Sequence, residues 1–215
     1  MSFRCAGRPL IECRLYAAQD GAYRARVEVD GVTEIMGQVD LELPGVTYKC
    51  TVKRGGATGS RVLAVLSPGM GTLTAPIDGQ SFFEASPRVI LQQTIGSESL
   101  NAELPQIADE PIARWVRLAG PADEAVSRLA AYLHLSWWFE PDGTIKLGEI
   151  SYPPSSVSID VLPNDNPEWG RLMFASEDGT VLPRTTVITD YGSYAVTEVR
   201  YSLSNGIWRG VLNYA

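Results

Sequence analysis

The residues that could carry catalysis are few, and none stands in a catalytic pattern. The chain has 215 residues and a single histidine, His134, so any Ser-His-Asp arrangement would have to use it. His134 ends a predicted helix before an apolar strand, which favours a structural or exposed role. The acidic pairs Glu140–Asp142 and Asp109–Glu110 fall in turns, where solvated carboxylates are more typical than a glycosidase pair facing across a cleft. We therefore predict that the protein is not an enzyme.

Metal and nucleotide motifs are also missing. Asn164-Asp165-Asn166 resembles part of a calcium loop but lacks the later glycine and the distal glutamate, so we interpret it as a turn. The glycine-rich loop at 55–60 lacks the Gly-Lys-Ser/Thr ending of a P-loop. The loop at 69–71 lacks the third glycine of a dinucleotide motif. The sequence therefore predicts no cofactor and no metal.

The three cysteines have no metal-ligand spacing. They are Cys5, Cys13 and Cys50, and the last two alternate with polar neighbours, as small buried apolar residues do. A Cys13–Cys50 disulfide is the alternative. Free thiols in a protein assembled in the cytosol are the preferred interpretation.

Charge and hydropathy exclude several classes of function. The net charge of -7 and the pI near 4.8 argue against non-specific binding to nucleic-acid backbones, which needs clustered Lys and Arg. No apolar run approaches twenty residues, so no membrane span is predicted. The N-terminus lacks the apolar segment of a secretory signal peptide. With 45% hydrophobic residues, the chain can bury the core of one domain or of two small ones.

Aromatic side chains are the only residues whose pattern points to a functional surface. Trp137 and Trp138 are adjacent in a predicted strand, so one ring must point inward and the other outward. The outward ring either packs under a helix or lies at an interface. Trp169, Trp208 and Tyr214 pose the same question, and we predict these three as interface residues. Proteins rich in edge strands often bury spare aromatics in subunit contacts.

The elements that position these residues are mostly strands. Residues 9–54 alternate between turn signals, which predicts an antiparallel meander in a barrel or sandwich. A helix is predicted from Ser86-Pro87, as N-cap and first residue, to Gly96. After a linker candidate at 152–156 the chain is β again and closes with a hairpin. Its last strand, 207–214, risks being an unpaired sheet edge unless barrel closure or a neighbouring chain covers it.

The segment from Trp115 to Gly148 organises the chain as a helix followed by a β-hairpin. Pro121 suits the first helical position, and the turn Pro141-Asp142-Gly143 joins two strands. The helix presents one apolar stripe at the helical period, formed by Ala122, Ala125, Val126, Leu129, Ala130 and Leu133.

This segment resembles a run in the baseplate hub proteins of contractile-tailed bacteriophages and in the related hub regions of type VI secretion spike proteins. The residues that carry the resemblance are Trp115, Arg117, Leu129, Trp137 or Trp138, Asp142, Gly143, Ile145 and Gly148. The resemblance covers the order of elements over nearly the whole chain, but the residues only in the middle.

The resemblance implies a mainly β fold with an α+β insertion, in which two small antiparallel β-barrel-like domains flank a helix–hairpin unit. We expect an N-terminal barrel-like domain at 1–80 and an α/β insertion of two helices and a hairpin at 81–152. A C-terminal β domain at 153–215 completes the second barrel. The chain is short for the family, which leaves open whether that barrel is complete.

The function implied is structural: a homo-trimeric ring in the tail baseplate of a virion, assembled in the host cytoplasm. The ring would join the sixfold tail tube to the threefold central spike and let DNA pass, and an acidic wall would not retain DNA. Expected partners are the tail tube and a separate spike protein, since the chain ends after its last hairpin, with tape measure and wedge proteins as further candidates. Specific nucleic-acid binding is not expected.

Two alternatives come from other classes of protein. One is a carbohydrate-binding β module of a tail or surface protein, with exposed Trp and Tyr as sugar platforms. The other is a glycoside hydrolase fragment, which the poorly placed acidic pairs disfavour. The mass in solution separates the first from the hub, because a monomer favours the binding module and a trimer the ring.

Overall fold

A computed structural model describes residues 3–96, 103–162, 170–175 and 179–215 of the chain. This described part is mainly β, as predicted, with two α-helices, α1 (Pro87–Ile95) and α2 (Ala122–Tyr132). The strands are β1 (Arg4–Cys5), β2 (Arg8–Ala18), β3 (Arg24–Asp30), β4 (Gln38–Leu43), β5 (Val46–Thr58), β6 (Arg61–Pro68), β7 (Pro76–Ile77), β8 (Gln80–Ala85), β9 (Ile112–Arg117), β10 (Gly120–Pro121), β11 (Ser136–Phe139), β12 (Ile145–Gly148), β13 (Asp160–Val161), β14 (Arg171–Ala175), β15 (Thr186–Thr189), β16 (Gly192–Ser204) and β17 (Ile207–Tyr214).

The first six strands close into a barrel. Their order is β1-β4-β5-β6-β3-β2, and β1 pairs with β2 to complete the ring. The predicted alternation places every second side chain inside, where an eight-strand or smaller barrel is filled by its own side chains. The fully buried ones include Val29, Leu41, Tyr48, Val62 and Leu66. The barrel is therefore a packed core and not a pore.

The C-terminal strands continue the same sheet. Strand β16 pairs with β2, placing Glu198–Leu203 opposite Cys13–Ala18, and the order runs on through β17 and β14 to β13. The last strand, which risked being a sheet edge, is covered within its own chain, because β17 lies between β16 and β14. Among the described strands, the pairings close one ring, that of β1 to β6. A second closed barrel therefore stays a prediction.

The middle of the chain forms the predicted helix–hairpin unit. Helix α1 starts as expected, with the Ser86 hydroxyl accepting from the Val89 N–H, and Gly96 follows its end with a φ of +56°. Helix α2 starts one residue later than expected, because Pro121 is extended and serves as its N-cap. Strands β11 and β12 pair as the predicted hairpin. No helix in the described ranges combines the length and the apolar character needed to cross a bilayer.

All three cysteines are free and buried, so the structure has free thiols rather than a Cys13–Cys50 disulfide. Burial raises the pKa of Cys5 to about 11 and that of Cys13 to about 12, and it also raises the pKa of Cys50. The cause is the loss of hydration of the thiolate in the barrel interior.

Stability should fall as the pH rises from the ordinary thiol pKa of 9.0 towards about 11. In this window the unfolded chain loses thiol protons that the folded chain keeps, so the free energy of unfolding decreases with pH. Each thiol contributes at most about 1.4 kcal/mol per pH unit. Urea titrations across this window should show a shallower decline for Cys13→Ala than for the wild type. An identical slope would mean that Cys13 ionises without unfolding.

Candidate functional site

The two adjacent tryptophans lie on opposite faces of β11, as predicted, yet both are buried. Trp137 is 4% exposed and Trp138 is 8% exposed. The indole N–H of Trp137 donates to the Ser127 hydroxyl of α2 at 2.9 Å, so this ring packs under the helix. The Trp138 ring faces the other way and is covered by the guanidinium of Arg184, 4.9 Å from the ring centroid. Neither ring is left for an interface.

Arg184 joins three distant parts of the chain. Its Nη1 donates to the carbonyls of Ala18 and Gln19 at 3.3 and 3.2 Å, which ties the C-terminal segment to the end of β2. Its Nη2 lies 3.9 Å from the Glu140 carboxylate. Burial lowers the pKa of Arg184, and Glu140 opposes that shift. A guanidinium this buried is held by its ring contact and by charge-assisted hydrogen bonds. We name this cluster the Arg184 junction: Arg184, Trp138, Glu140, Lys146 and Glu103.

The acidic residues of the hairpin turn form hydrogen bonds and ion pairs within the chain. Glu140 accepts from the Trp138 indole N–H at 2.8 Å and lies 3.8 Å from Lys146. Lys146 also pairs with Glu103 at 3.0 Å, a contact that raises the pKa of Lys146. Asp142 accepts from the Thr144 N–H and shapes the turn. Within the described residues, no group of three His, Cys, Asp or Glu side chains is arranged to hold a metal ion.

Arg117, the arginine of the resembling segment, holds the β8–β9 ribbon against α1. It is 7% exposed. Its guanidinium donates to the carbonyls of Gln93 and Asp78 at 2.6 and 3.1 Å and to the Gln80 side chain at 3.0 Å. The Trp-x-Arg spacing puts Trp115 and Arg117 on the same face of β9. The Trp115 ring is in edge contact with Tyr132. These residues position elements and carry no reactive group.

The three predicted interface residues lie in different surroundings. Trp208 is buried, and its ring stacks on that of Tyr201 at 4.5 Å and contacts Phe3 at 5.3 Å. Tyr214 is half-buried and packs on Tyr194. Trp169 lies outside the described residues. An interface role for these three residues stays a prediction, and the Trp208 ring contributes to the core of its own chain.

A cleft with a volume of about 720 Å³ lies between the barrel and the hairpin turn. Its described lining carries Asp40, Glu42 and Asp142, and a lysine, Lys49, that is paired with Asp40 at 2.8 Å. None of its described lining residues is aromatic. The cleft therefore offers no ring on which a sugar could stack, and it does not favour a carbohydrate-binding module.

No protein-family model and no curated protein matches the sequence. Solved structures share its fold. The tail protein from Neisseria meningitidis MC58 has a TM-score of 0.70 at 13% identity, covering 100% of this chain and 96% of that chain. The prophage MuSo2 43 kDa tail protein from Shewanella oneidensis has a TM-score of 0.67 at 11% identity, covering 99% and 97%. The chain has the fold of a phage tail protein.

The same tail-protein fold extends to a secretion system. The E. coli c3393 protein is a component of the type VI secretion system with structural similarity to the T4 bacteriophage tail proteins gp27 and gp5. It has a TM-score of 0.72 at 11% identity, covering 100% of this chain and 77% of that chain. The predicted likeness to phage tail and type VI secretion proteins is confirmed at the level of fold.

Sequence reasoning missed Arg184 as the residue that joins the chain's three parts. It follows Pro183 in a connection between turn residues and has a φ of +64°, which only the folded chain reveals. The periodicity of the adjacent strands does not indicate this role, because the carbonyls that Arg184 binds, those of Ala18 and Gln19 at the end of β2, are more than 160 residues away in sequence.

Proposed function

We propose that this protein is a structural hub of a phage or phage-like tail. Three copies form a ring that joins a sixfold tail tube to a threefold central spike in the baseplate and lets DNA pass. The observation that carries this proposal is the fold, which matches two tail proteins over 96% and 97% of their length. A structural role also agrees with the charged residues Glu140 and Lys146 of the hairpin, which pair with each other and with Arg184 and Glu103.

The packed barrel supports a ring of several copies. Because side chains fill the interior of β1 to β6, DNA has no path through one chain. A passage must therefore lie between copies. An overall charge of -7 gives such a passage walls that do not retain DNA. The pairing of β16 with β2 joins the proposed β domains at 1–80 and 153–215 in one sheet, which supports a subunit that acts as one piece of the ring wall.

The proposed partners are the tail tube, a separate spike protein and, further, the tape measure and wedge proteins. The proposed location is the virion tail baseplate, after assembly in the host cytoplasm. We propose no catalytic step, because Glu140 and Asp142 already serve the Trp138 indole and the turn. Peptidoglycan or glycan hydrolysis that is abolished by Glu140→Gln or Asp142→Asn would contradict this part of the proposal.

The oligomeric state tests the hub. Sedimentation equilibrium of the full chain should give a mass three times the 23.4 kDa of one copy. Addition of the tail tube and spike proteins of the same particle should shift the mass further. A chain that stays monomeric at high concentration, even with those partners present, would remove the hub and leave only the fold.

A further inference from the structure

Six arginines form two neighbouring rows on the outer face of the continuous sheet, and we name this surface the arginine stripe. Residues paired across neighbouring strands share one face of a sheet. The first row crosses six strands through the register pairs Arg209–Ser202, Ser202–Arg14, Arg14–Arg26, Arg26–Val65 and Val65–Arg54. The second row runs beside it through the pairs Arg200–Tyr16 and Tyr16–Arg24. All six arginines are exposed.

The spacing makes this a dense positive surface. Strands lie about 4.8 Å apart, so the first row extends roughly 24 Å over the sheet, and the second row is two residues, roughly 7 Å, along the strands. Arg14 and Arg26 are directly opposite each other. Like charges in that position destabilise a sheet. The unbound chain therefore has unfavourable electrostatic repulsion between these two arginines, which a bound negative charge would remove.

The chain supplies little of that opposite charge to the stripe itself. Arg200 pairs with Glu198 at 2.6 Å. Within the described residues, the other five arginines of the stripe have no ion pair. Two carboxylates lie beside the stripe on the same face: Glu28 pairs with Arg61, and Glu12 lies opposite Glu28, two residues along β2 from Arg14. The stripe is thus a basic surface on a protein whose net charge is -7.

The matching negative charge lies in the insertion. Residues 81–152 contain ten Asp and Glu against five Lys and Arg, which leaves an excess of five negative charges. The ion pairs described for these carboxylates go to Arg88, Arg128, Lys146 and Arg184, and to no arginine of the stripe. One chain therefore carries a row of exposed arginines and an insertion with excess negative charge, and none of the described ion pairs joins the two.

We propose that the arginine stripe of one copy binds the acidic insertion of the next copy, and this inference rests on the proposed hub function. Contact between two different surfaces of one chain is heterologous, and such contacts close into rings when the rotation between copies permits. Electrostatic complementarity of this kind sets the register of an interface and suppresses wrong partners. The stripe would then fix the direction in which the ring closes.

Exposed apolar side chains accompany both surfaces. Tyr16 and Val65 lie within the two rows of the stripe. On the insertion, the β8–β9 ribbon turns Phe83 and Val116 outward, and Leu118 follows at 56% exposed. Aromatic residues and arginine are enriched in protein interfaces, where apolar contacts form the centre. The two surfaces thus have the composition of a protein–protein contact.

A nucleic-acid ligand fits the hub less well. Each arginine that neutralises a phosphate adds to affinity at ordinary salt concentration. A stripe of this density facing the passage would retain the DNA that the ring must release. The excess acid elsewhere on the chain also opposes approach by a polyanion.

The test is the double charge reversal Arg14→Glu/Arg26→Glu in the full chain, studied by sedimentation equilibrium at low and high salt. We expect the association constant of the trimer to fall by about tenfold or more at low salt and to lose most of its dependence on salt concentration. Arg4→Glu/Lys49→Glu is the matched control, because it changes the net charge equally at two exposed residues that lie outside both the arginine stripe and the insertion. It should not weaken the trimer. Circular dichroism checks the fold, and Arg14→Gln/Arg26→Gln gives a milder second variant.

The outcomes separate this inference from the hub itself. A wild-type trimer that both stripe variants leave unchanged overturns the inference and leaves the hub in place. A wild-type monomer removes the hub and the inference together. Binding of a labelled duplex oligonucleotide that the stripe variants abolish, with the trimer intact, overturns the inference in favour of a nucleic-acid surface.

Discussion

Leu129→Ala should lower the free energy of unfolding by about 2–5 kcal/mol, as large-to-small changes in a core do. Leu129 is 2% exposed on the buried face of α2, beside Val126 and Ala130. Truncation leaves a cavity between the helix and β11, where the Trp137 ring is anchored to the same helix. Urea titration followed by circular dichroism measures the change.

The matched control for Leu129 is the residue before it in the helix. Arg128 is exposed and pairs with Glu124 one turn earlier at 3.5 Å. Arg128→Ala should cost at most about 0.5 kcal/mol, the usual value of such pairs. A loss below about 0.5 kcal/mol for Leu129→Ala would mean that the apolar stripe of α2 is not part of the core.

Arg184→Ala should lower the free energy of unfolding by roughly 3 kcal/mol, because it removes several interactions at one buried point. The Trp138 ring loses its covering cation, and the carbonyls of Ala18 and Gln19 lose their donor. Glu140 keeps Lys146 and the indole N–H as partners. Urea titration of the variant against the wild type measures the loss.

Two controls define what Arg184 contributes. Arg184→Lys keeps the charge but not the planar fork, so its cost should be intermediate. Arg88→Ala removes an arginine from an exposed pair with Asp109 and should cost no more than about 1 kcal/mol. An Arg184→Ala loss no larger than that of Arg88→Ala would show that the Arg184 junction does not hold the C-terminal segment to the barrel.

The interface hypothesis for Trp208 illustrates the limit of reading strands one at a time. Composition shows that the last strand is aromatic and nearly uncharged, which suits either a core or a contact between chains. The structure places it between β14 and β16, with the Trp208 ring stacked on Tyr201. The last strand of the chain carried the risk of being an edge, but the order of strands in this sheet does not follow their order in sequence.

The arginine stripe was visible in part from the sequence. Arg24 and Arg26 alternate with buried residues in β3, as Arg14 does in β2, so each could be assigned to the outer face of its own strand. Their assembly into one row with Arg209 could not be foreseen. That row depends on the pairing of β16 with β2, whose residues are about 185 positions apart.

Local structure could be predicted from the sequence: the alternating strands, the two helices with their start signals, and the hairpin at Asp142–Gly143. These features follow from backbone preferences and from periodicity within a few residues. The tertiary structure alone decided that the six N-terminal strands close into a barrel, that β16 joins β2, and that Arg184 covers Trp138. The physical reason is that register and strand order are set by the packing of side chains from distant segments, and a one-residue slip would turn every side chain to the other face.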